Sequence, residues 1–474
     1  MNQDFENAKT QENIPEGFAE NSYGISISDH ALSTVTEDST IQAPSQIKPP
    51  ENWLRNYLPM GIGQVLSMLG SALVQFALVW YLTKETGSAI TLLTATLTGT
   101  LPSVFLGPFA GALVDRWNRK LTMIISDGLV ALATLVLVVL FATGLIQIWH
   151  IYAILFLRSL AGIFQGPAIT ASLTLMIPRA HYTRFAGIQQ AVDGIIQIVS
   201  PVLGALLFSL LPIQGVLAVD TVTAAIAILL LIFTVKVPQP VRKDDVAHVT
   251  PKTILKDVKE GFKYVISWRG ILILIIFGTM INMTIGPAFS LLPLHVQNHF
   301  QRGAGEYAAL SSSFGVGIIV GGLILGVWGG FKKKVRTIIL GLFGMGFGLI
   351  TFGLLPPTAF FVAIGVMIFT AIMVVITNGP LSALMKDKIP PEMQGRVFTV
   401  MSSMITATVP IGLVIAAPIA ETIGIGAWFV IGGGFCFLMA LVALLYKPVA
   451  SLDDQEPGGI LLSDLEKETI EEQL

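Results

Sequence analysis

Charge is what this chain of 474 residues has least of: Asp, Glu, Lys and Arg together make up 12% of it. A soluble domain usually carries about a quarter. Hydrophobic residues reach 53% and mean hydropathy is +0.75. That is more apolar surface than one water-soluble core can hide, so lipid must be the solvent for much of the chain. The formal net charge of −2 excludes the strongly basic field that a nucleic-acid partner requires. A single cysteine, Cys436, excludes an intramolecular disulfide framework and a cysteine zinc cluster. It lies inside an apolar run, where inert packing is the expected role. No GxxxxGK[ST] loop is present, which excludes a P-loop and with it direct use of ATP. Neither HExxH nor GxSxG occurs, so an enzyme is not expected. Residues 1–52 hold no apolar core of the kind that opens a signal peptide. Rich in Ser, Thr, Gln, Asn and Glu, they cannot bury enough to offset their ordering entropy and are read as a disordered N-terminal segment.

What is present are long apolar runs. A helix needs about 20 such residues to cross a hydrocarbon layer about 30 Å thick. Twelve candidates meet that test: Tyr57–Leu82, Ser88–Val114, Leu121–Thr143, Trp149–Leu175, Phe185–Leu210, Pro212–Val235, Gly270–Val296, Tyr307–Gly329, Val335–Leu355, Ala359–Met385, Val397–Thr422 and Gly426–Tyr446. The runs are continuous rather than ten-residue alternations, which favours helices over barrel strands. Alternate loops carry the cations: Arg116, Arg119 and Lys120; Arg179 and Arg184; Lys236 to Arg269; Lys332, Lys333, Lys334 and Arg336; Lys386, Lys388 and Arg396. The opposite loops offer little beyond Lys84 and Arg302. By the positive-inside rule both termini are expected in the cytoplasm.

The stretch 236–269 is the one long connection on the basic side, with Pro238, Pro240 and mixed charge, and it reads as a linker between spans 53–235 and 270–446. A surface helix is expected around Thr253–Tyr264 within it. The remainder, 447–474, is an acidic cytoplasmic tail with a short helix expected near Leu461–Glu472. The two halves resemble each other. Ile177-Pro178 is followed six residues on by Arg184, as Ile389-Pro390 is by Arg396. Gly111 precedes Arg119 by eight residues, as Gly326 precedes Lys334. Duplicated bundles with a site between them are a common route to alternating access.

Between spans two and three reads Gly107-Pro-Phe-Ala-Gly111-Ala-Leu-Val-Asp115-Arg116-Trp-Asn-Arg119-Lys120. Gly107 and Gly111 form a small-xxx-small face, which predicts a close helix approach. Asp115 is placed to accept in a tight turn or to face a helix N-terminus. This run resembles motif A of the major facilitator superfamily, with Asn118 where that family usually has glycine. Arg158-Ser-Leu-Ala-Gly162-Ile-Phe-Gln165-Gly166 is similar to its motif B. Ser200-Pro201-Val-Leu-Gly204-Ala205 resembles a degenerate motif C, the antiporter motif. The texture is most similar to the macrolide-efflux branch, on Tyr81-Leu82-Thr83, Thr86-Gly87-Ser88-Ala89, Gly107-Pro108 and Gly395-Arg396-Val397-Phe398.

The resemblance implies an all-α membrane protein with twelve transmembrane helices in two pseudo-symmetric six-helix bundles. It implies proton-driven efflux of a lipophilic small molecule, macrolide-like, from a bacterial plasma membrane by a monomer needing no cofactor beyond the proton gradient. It also implies that Gly107, Gly111, Asp115, Arg116, Arg119 and Lys120 latch the halves, with Asp115 meeting the chain near Gly395–Val397. Related branches move siderophores or lysophospholipids, and a receptor or scaffold that kept the fold without transport stays open.

Ionisable groups inside a span are costly and point to function. Arg158 lies about 14 Å of helix from the outer end of its span, and Asp220 about 12 Å, while Asp193 is about 12 Å from the inner end. A buried arginine stays charged and needs an acceptor. Arg158 and Asp193 are therefore expected to interact in proton coupling, with a permanent ion pair, or Asp193 merely hydrogen-bonded, as the bland alternatives. Asp220 is expected to be structural, and Asp127 to pair with the motif A cations. Gln64, Gln75, Gln165, Asn282 and Asn378 are candidate cavity residues, although interhelical hydrogen bonding explains each as well. Met60, Met68, Met283 and Met373 could supply an adaptable apolar wall. His295 and His299 have metal-ligand spacing but no third ligand, so no metal site is expected.

Overall fold

The computed structural model describes residues 53–114, 117–178, 181–235, 237, 262–446, 449 and 452–454. Twelve helices in it are long and apolar enough to cross a membrane. They are α1 (Trp53–Thr86), α2 (Ala89–Val114), α3 (Arg119–Ala142), α4 (Ile148–Met176), α5 (Tyr182–Leu210), α6 (Ile213–Phe233), α7 (Arg269–Ser290), α8 (Ala304–Trp328), α9 (Lys334–Leu354), α10 (Phe360–Lys388), α11 (Pro391–Thr422) and α12 (Ile425–Leu445). No strand occurs among the described residues.

Local chemistry sets several ends. Asn118 caps α3, its side-chain oxygen accepting from the Leu121 amide at 3.1 Å. That is the use made of the asparagine standing at a glycine position of the motif. Glu306, in the first turn of α8, accepts from the Gly303 amide at 3.1 Å. Gly329 closes α8 with φ of 73°, a conformation few other residues adopt cheaply. Span seven, expected as one run, breaks at Leu291 and resumes as a short helix, Leu292–Asn298. Pro287 inside α7 and Pro293 at the restart explain the interruption.

The packing order repeats between the halves. In the first bundle α1 packs on α5 and α6, α3 on α4 and α6, and α2 on α4. In the second α7 packs on α11 and α12, α9 on α10 and α12, and α8 on α10. Adding six to each label of the first set reproduces the second. The two most extensive packings between the bundles are α2 on α11 and α5 on α8, and they exchange under the same relation. This is a pseudo-twofold pair of six-helix bundles.

Glycine makes the tightest crossings. A Cβ on Gly412 would lie 2.0 Å from the Met283 carbonyl oxygen, and one on Gly204 2.7 Å from the Phe76 ring. Small residues permit such approaches where lipid supplies no hydrophobic push between helices. Gly107 is different from expectation: a Cβ there would meet nothing within 4 Å. It faces a space between helices, so it does not serve as a close-approach glycine.

The two faces of the molecule differ. The loops holding Arg119, Lys120 and Lys332–Lys334 define a basic face, and the opposite end is the far face. Ring and hydrogen-bond contacts between the bundles gather in the far half. Tyr307 of α8 stacks on Phe76 and Trp80 of α1, with centroids 5.1 and 5.8 Å apart. Glu421 of α11 accepts from Ser88 Oγ and the Ile90 amide at the start of α2. Ser312 Oγ donates to the Ile198 carbonyl at 2.7 Å near mid-depth. On the basic side of this level, a cavity of about 380 Å³ separates Ser103, Val104 and Gly107 of α2 from Phe398, Ser402, Ser403 and Thr406 of α11. Among the described residues, the side-chain contacts between the bundles therefore lie in the far half, with this cavity between α2 and α11 on the basic side of them.

The basic end also carries an unanticipated clasp. The carboxylate of Asp453, in the turn Leu452–Asp454, accepts from the Lys334 and Val335 amides at 3.1 and 2.9 Å. It caps the N-terminus of α9, and Lys388 Nζ donates to its carbonyl. Leu452 beside it is fully buried. The helices expected near Thr253–Tyr264 and Leu461–Glu472 lie largely or wholly outside the described residues; the end of the former, 262–264, belongs to a helical stretch over 262–267.

Candidate functional site

The polar side chains of the first bundle form two layers, both organised by helical spacing. Gln64, Ser67, Ser71 and Gln75 follow one another on α1 at intervals of three, four and four residues, and so share a face. On α3, Asp127 and Thr134 are seven residues apart, as are Arg158 and Gln165 on α4. Seven residues are two turns, about 10 Å of rise, so each pair spans the same two levels.

The deeper layer is centred on Asp220 of α6, which is fully buried. Arg158 Nη1 lies 2.5 Å from Asp220 Oδ2. Thr134 Oγ1 donates to the same oxygen at 2.7 Å, and Ser71 Oγ to Oδ1 at 3.1 Å. Arg158 also contacts Thr134. Gly70 makes this possible: its bare α-carbon lets α1 approach Asp220 Cα so closely that a Cβ would sit 3.0 Å away.

This corrects the expected pairing of Arg158 with Asp193. Axial depth was similar for both aspartates, but α6 packs on α3, which packs on α4, whereas α5 lies against α1 and α8. Asp193 is half-buried and, among the described residues, accepts only a long hydrogen bond, 3.5 Å, from Gln189 one turn earlier. Asp220, expected to be structural, is the partner of the motif B arginine.

The second layer, nearer the basic face, is centred on Asp127, which is 1% exposed. Ser67 Oγ and Gln165 Nε2 donate to Oδ1 at 2.9 and 2.7 Å, and Gln64 Nε2 donates to Oδ2 at 3.1 Å. Gln165 Nε2 also reaches Gln64 Oε1 at 3.1 Å. No ion pair to Asp127 exists among the described residues. Its expected partners point elsewhere: Arg119 donates to the Ala171 carbonyl of α4, and Lys120 to the Ile232 and Val235 carbonyls at the end of α6. The eight residues from Arg119 to Asp127 put about 12 Å of helix between them, which is why the pairing fails. Hydrogen bonds to a charged group contribute about 1.5–3 kcal/mol each. Three of them are of the same order as the several kcal/mol that burying an unpaired carboxylate costs.

Both layers touch one cavity. A space of about 480 Å³ is lined by Ser71, Gln75, Gly99, Ser103, Arg158 and Gln165 among others. Gln75 and Gln165 therefore stand at the cavity wall, whereas Gln64, fully enclosed, bonds Asp127 instead of lining the space. In the second bundle, Asn282 and Asn378 line a pocket of about 140 Å³ otherwise walled by Leu274, Phe277, Phe314 and Met345 and their neighbours. Asn282 donates back to the Gly278 carbonyl at 2.8 Å. The bundles are chemically unlike: the second has no Asp, Glu, Lys, Arg or His in 270–294, 337–385 or 397–420.

Of the remaining candidates, Ser200 is buried and donates to the Ile196 carbonyl, Pro201 is half-buried, and Gly204 seats Phe76. Asp115 and Arg116, and the side chain of Arg396 near their expected contact, lie outside the described residues, and of Gly111 only the backbone is described, within α2. Ser67, Ser71 and Thr134 were missed in the sequence, although the three-four-four stripe on α1 was there to be read. His295 and His299 stack in parallel, centroids 4.6 Å apart, and no cluster of three metal-ligating residues occurs among the described residues. His295 is buried among Phe300, Phe352 and Phe429.

A family profile described as Major Facilitator Superfamily matches residues 60–407 and 288–462. Macrolide efflux protein A of Streptococcus pyogenes is 33% identical over 402 residues, covering 85% of this chain and 98% of that protein. The multidrug efflux pump Tap of Mycolicibacterium fortuitum is 25% identical over 402 residues, 81% of this chain and 94% of that protein. Among solved structures, a bacterial homologue of the iron transporter ferroportin in an inward-facing state superposes with a TM-score of 0.64 at 14% identity, covering 85% of this chain and 99% of that one.

Proposed function

The chain belongs to the major facilitator superfamily, and from that premise we propose that it exports a lipophilic small molecule of macrolide type, driven by proton entry. The supporting observation is the 33% identity to macrolide efflux protein A along nearly the whole of that protein. The geometry agrees with it. Contacts gathered in the far half, with a cavity on the basic side of them, fit one end state of a rocking pair of bundles, and the apolar wall of the second bundle suits a hydrophobic substrate.

In this reading the basic face is cytoplasmic and the membrane is the bacterial plasma membrane, with both termini inside. Substrate enters from the cytoplasm or inner leaflet, meets Asn282, Asn378, Gln75 and the aliphatic wall, and leaves when the far contacts open. Gly107, Gly111, Asp115, Arg116, Arg119 and Lys120 form the latch that closes the basic side. Ser200, Pro201 and Gly204 shape α5 where it meets α1. The protein works as a monomer within the bilayer, and the proton gradient is its only energy source.

The test is a drug-susceptibility panel in an efflux-deficient bacterial host, with and without an uncoupler. Expression should raise resistance to erythromycin, and the uncoupler should abolish the gain in cellular drug exclusion. Unchanged susceptibility to every lipophilic drug in the panel, with the protein in the membrane, would refute the proposal.

A further inference from the structure

Away from the helix ends, the charged side chains within the spans belong to the first bundle: Asp127, Arg158, Asp193 and Asp220. Arg158 and Asp220 compensate each other at 2.5 Å, so neither charge is free to change without leaving the other stranded. Asp193 is half-buried and, among the described residues, tied only to its own helix. Asp127 alone is enclosed, carries no cation partner among the described residues, and is joined to the cavity wall through one side chain, Gln165.

Resting on the proton-driven efflux proposed above, we propose that Asp127 is the group that binds and releases the coupled proton, and that Gln64 and Gln165 transmit its state to the cavity. The step balances simply. Hydronium from the far side gives its proton to Asp127 Oδ2, leaving water; the layer goes from one negative charge to none. On return, the proton passes to water on the basic side.

Protonation changes hydrogen-bond roles, and the geometry dictates how. Oδ1 already accepts from Ser67 and Gln165, whereas Oδ2 accepts only from Gln64 Nε2. A proton on Oδ2 turns that oxygen into a donor facing the Gln64 amide nitrogen. The Gln64 amide must rotate to present Oε1. That oxygen now accepts from Gln165 at 3.1 Å, so the rotation loosens Gln165 towards the cavity. A proton on α3 thereby alters the wall where substrate sits. The present arrangement, with three donors aimed at the carboxylate and a cavity between α2 and α11 on the basic side, is the proton-released state.

The charged groups facing Asp127 from the elements packed around it are few. From α4 comes Arg158, two turns deeper and engaged by Asp220 of α6. On α3 itself Arg119 lies towards the basic face and bonds Ala171. From α1 no Asp, Glu, Lys, Arg or His faces it between Tyr57 and Leu82. No cation competes with its three donors among the described residues.

The experiment uses the full chain in proteoliposomes with erythromycin as the probe. Erythromycin-driven proton movement is read with a pH-sensitive dye, and counterflow of radiolabelled erythromycin is read without a gradient. Asp127→Asn should lower erythromycin-driven proton movement by about tenfold or more while counterflow falls far less. Asp127→Glu should keep proton movement with a displaced pH optimum. Proton movement by Asp127→Asn at the wild-type rate would overturn the assignment. So would equal loss of both readouts in Asp127→Asn with an unshifted pH profile in Asp127→Glu, the signature of a mere structural tie. If the wild type exchanges erythromycin yet moves no protons with it, the proton-driven reading itself fails and takes this proposal with it.

Discussion

Replacing Asp220 with asparagine tests the deeper polar layer directly. Arg158 is 10% exposed and Asp220 not at all, so the variant leaves a guanidinium facing an uncharged amide in the bundle interior. Breaking one side of a buried pair costs about 3–5 kcal/mol. Arg158 borders the 480 Å³ cavity, where water relieves part of that strain, so the lower figure, about 3 kcal/mol, applies here. A simple intramembrane hydrogen bond would be worth only about 0.6 kcal/mol, so the two readings are well separated. The assay is unfolding by sodium dodecyl sulfate in mixed micelles, followed by tryptophan fluorescence. Asp220→Asn should destabilise strongly, and adding Arg158→Gln should return much of the loss, giving a coupling above about 1.5 kcal/mol. Asp193→Asn should show no coupling to Arg158→Gln beyond about 0.5 kcal/mol. Coupling of Arg158 to Asp193 but not to Asp220 would refute the reasoning.

Two further outcomes follow from the same geometry. Tyr307→Ala removes two ring stacks worth about 0.5–1.5 kcal/mol each beyond area burial, which should open the far side and raise maleimide labelling of a cysteine placed at Ser312. The sole native cysteine, Cys436, is buried and gives little background. Gly412→Ala should destabilise by about 1–3 kcal/mol because its Cβ meets the Met283 carbonyl, whereas Gly107→Ala should leave stability unchanged, as read by the same micelle titration.

The spans were legible because lipid demands length and apolarity of every crossing, and the loop cations then ordered them. The duplication was legible too, through Pro178 and Pro390 at nearly one offset. Side-chain partnership was not. Depth along a helix follows from counting residues, but azimuth follows from which helices are neighbours, so Asp193 and Asp220 could not be separated until α6 was seen beside α3. Asp127 was assigned to the nearest cations in sequence, although those cations cap carbonyls of α4 and α6. Gly107 read as a contact glycine by its spacing to Gly111, and only its surroundings reveal open space. Asp453 looked like one more acid in a polar tail; its cap on α9 depends on the chain folding back, which no local pattern announces.

In the proposed transport cycle two like bundles rock about a shared middle, closing one side as the other opens. Spin labels on a Cys436→Ser background, one pair at Ser103 and Ser402 and another at Ile90 and Thr422, measure both sides at once. On acidification with erythromycin present, the Ser103–Ser402 distance should shorten while the Ile90–Thr422 distance lengthens. Distances that stay fixed, or that lengthen together, would contradict it.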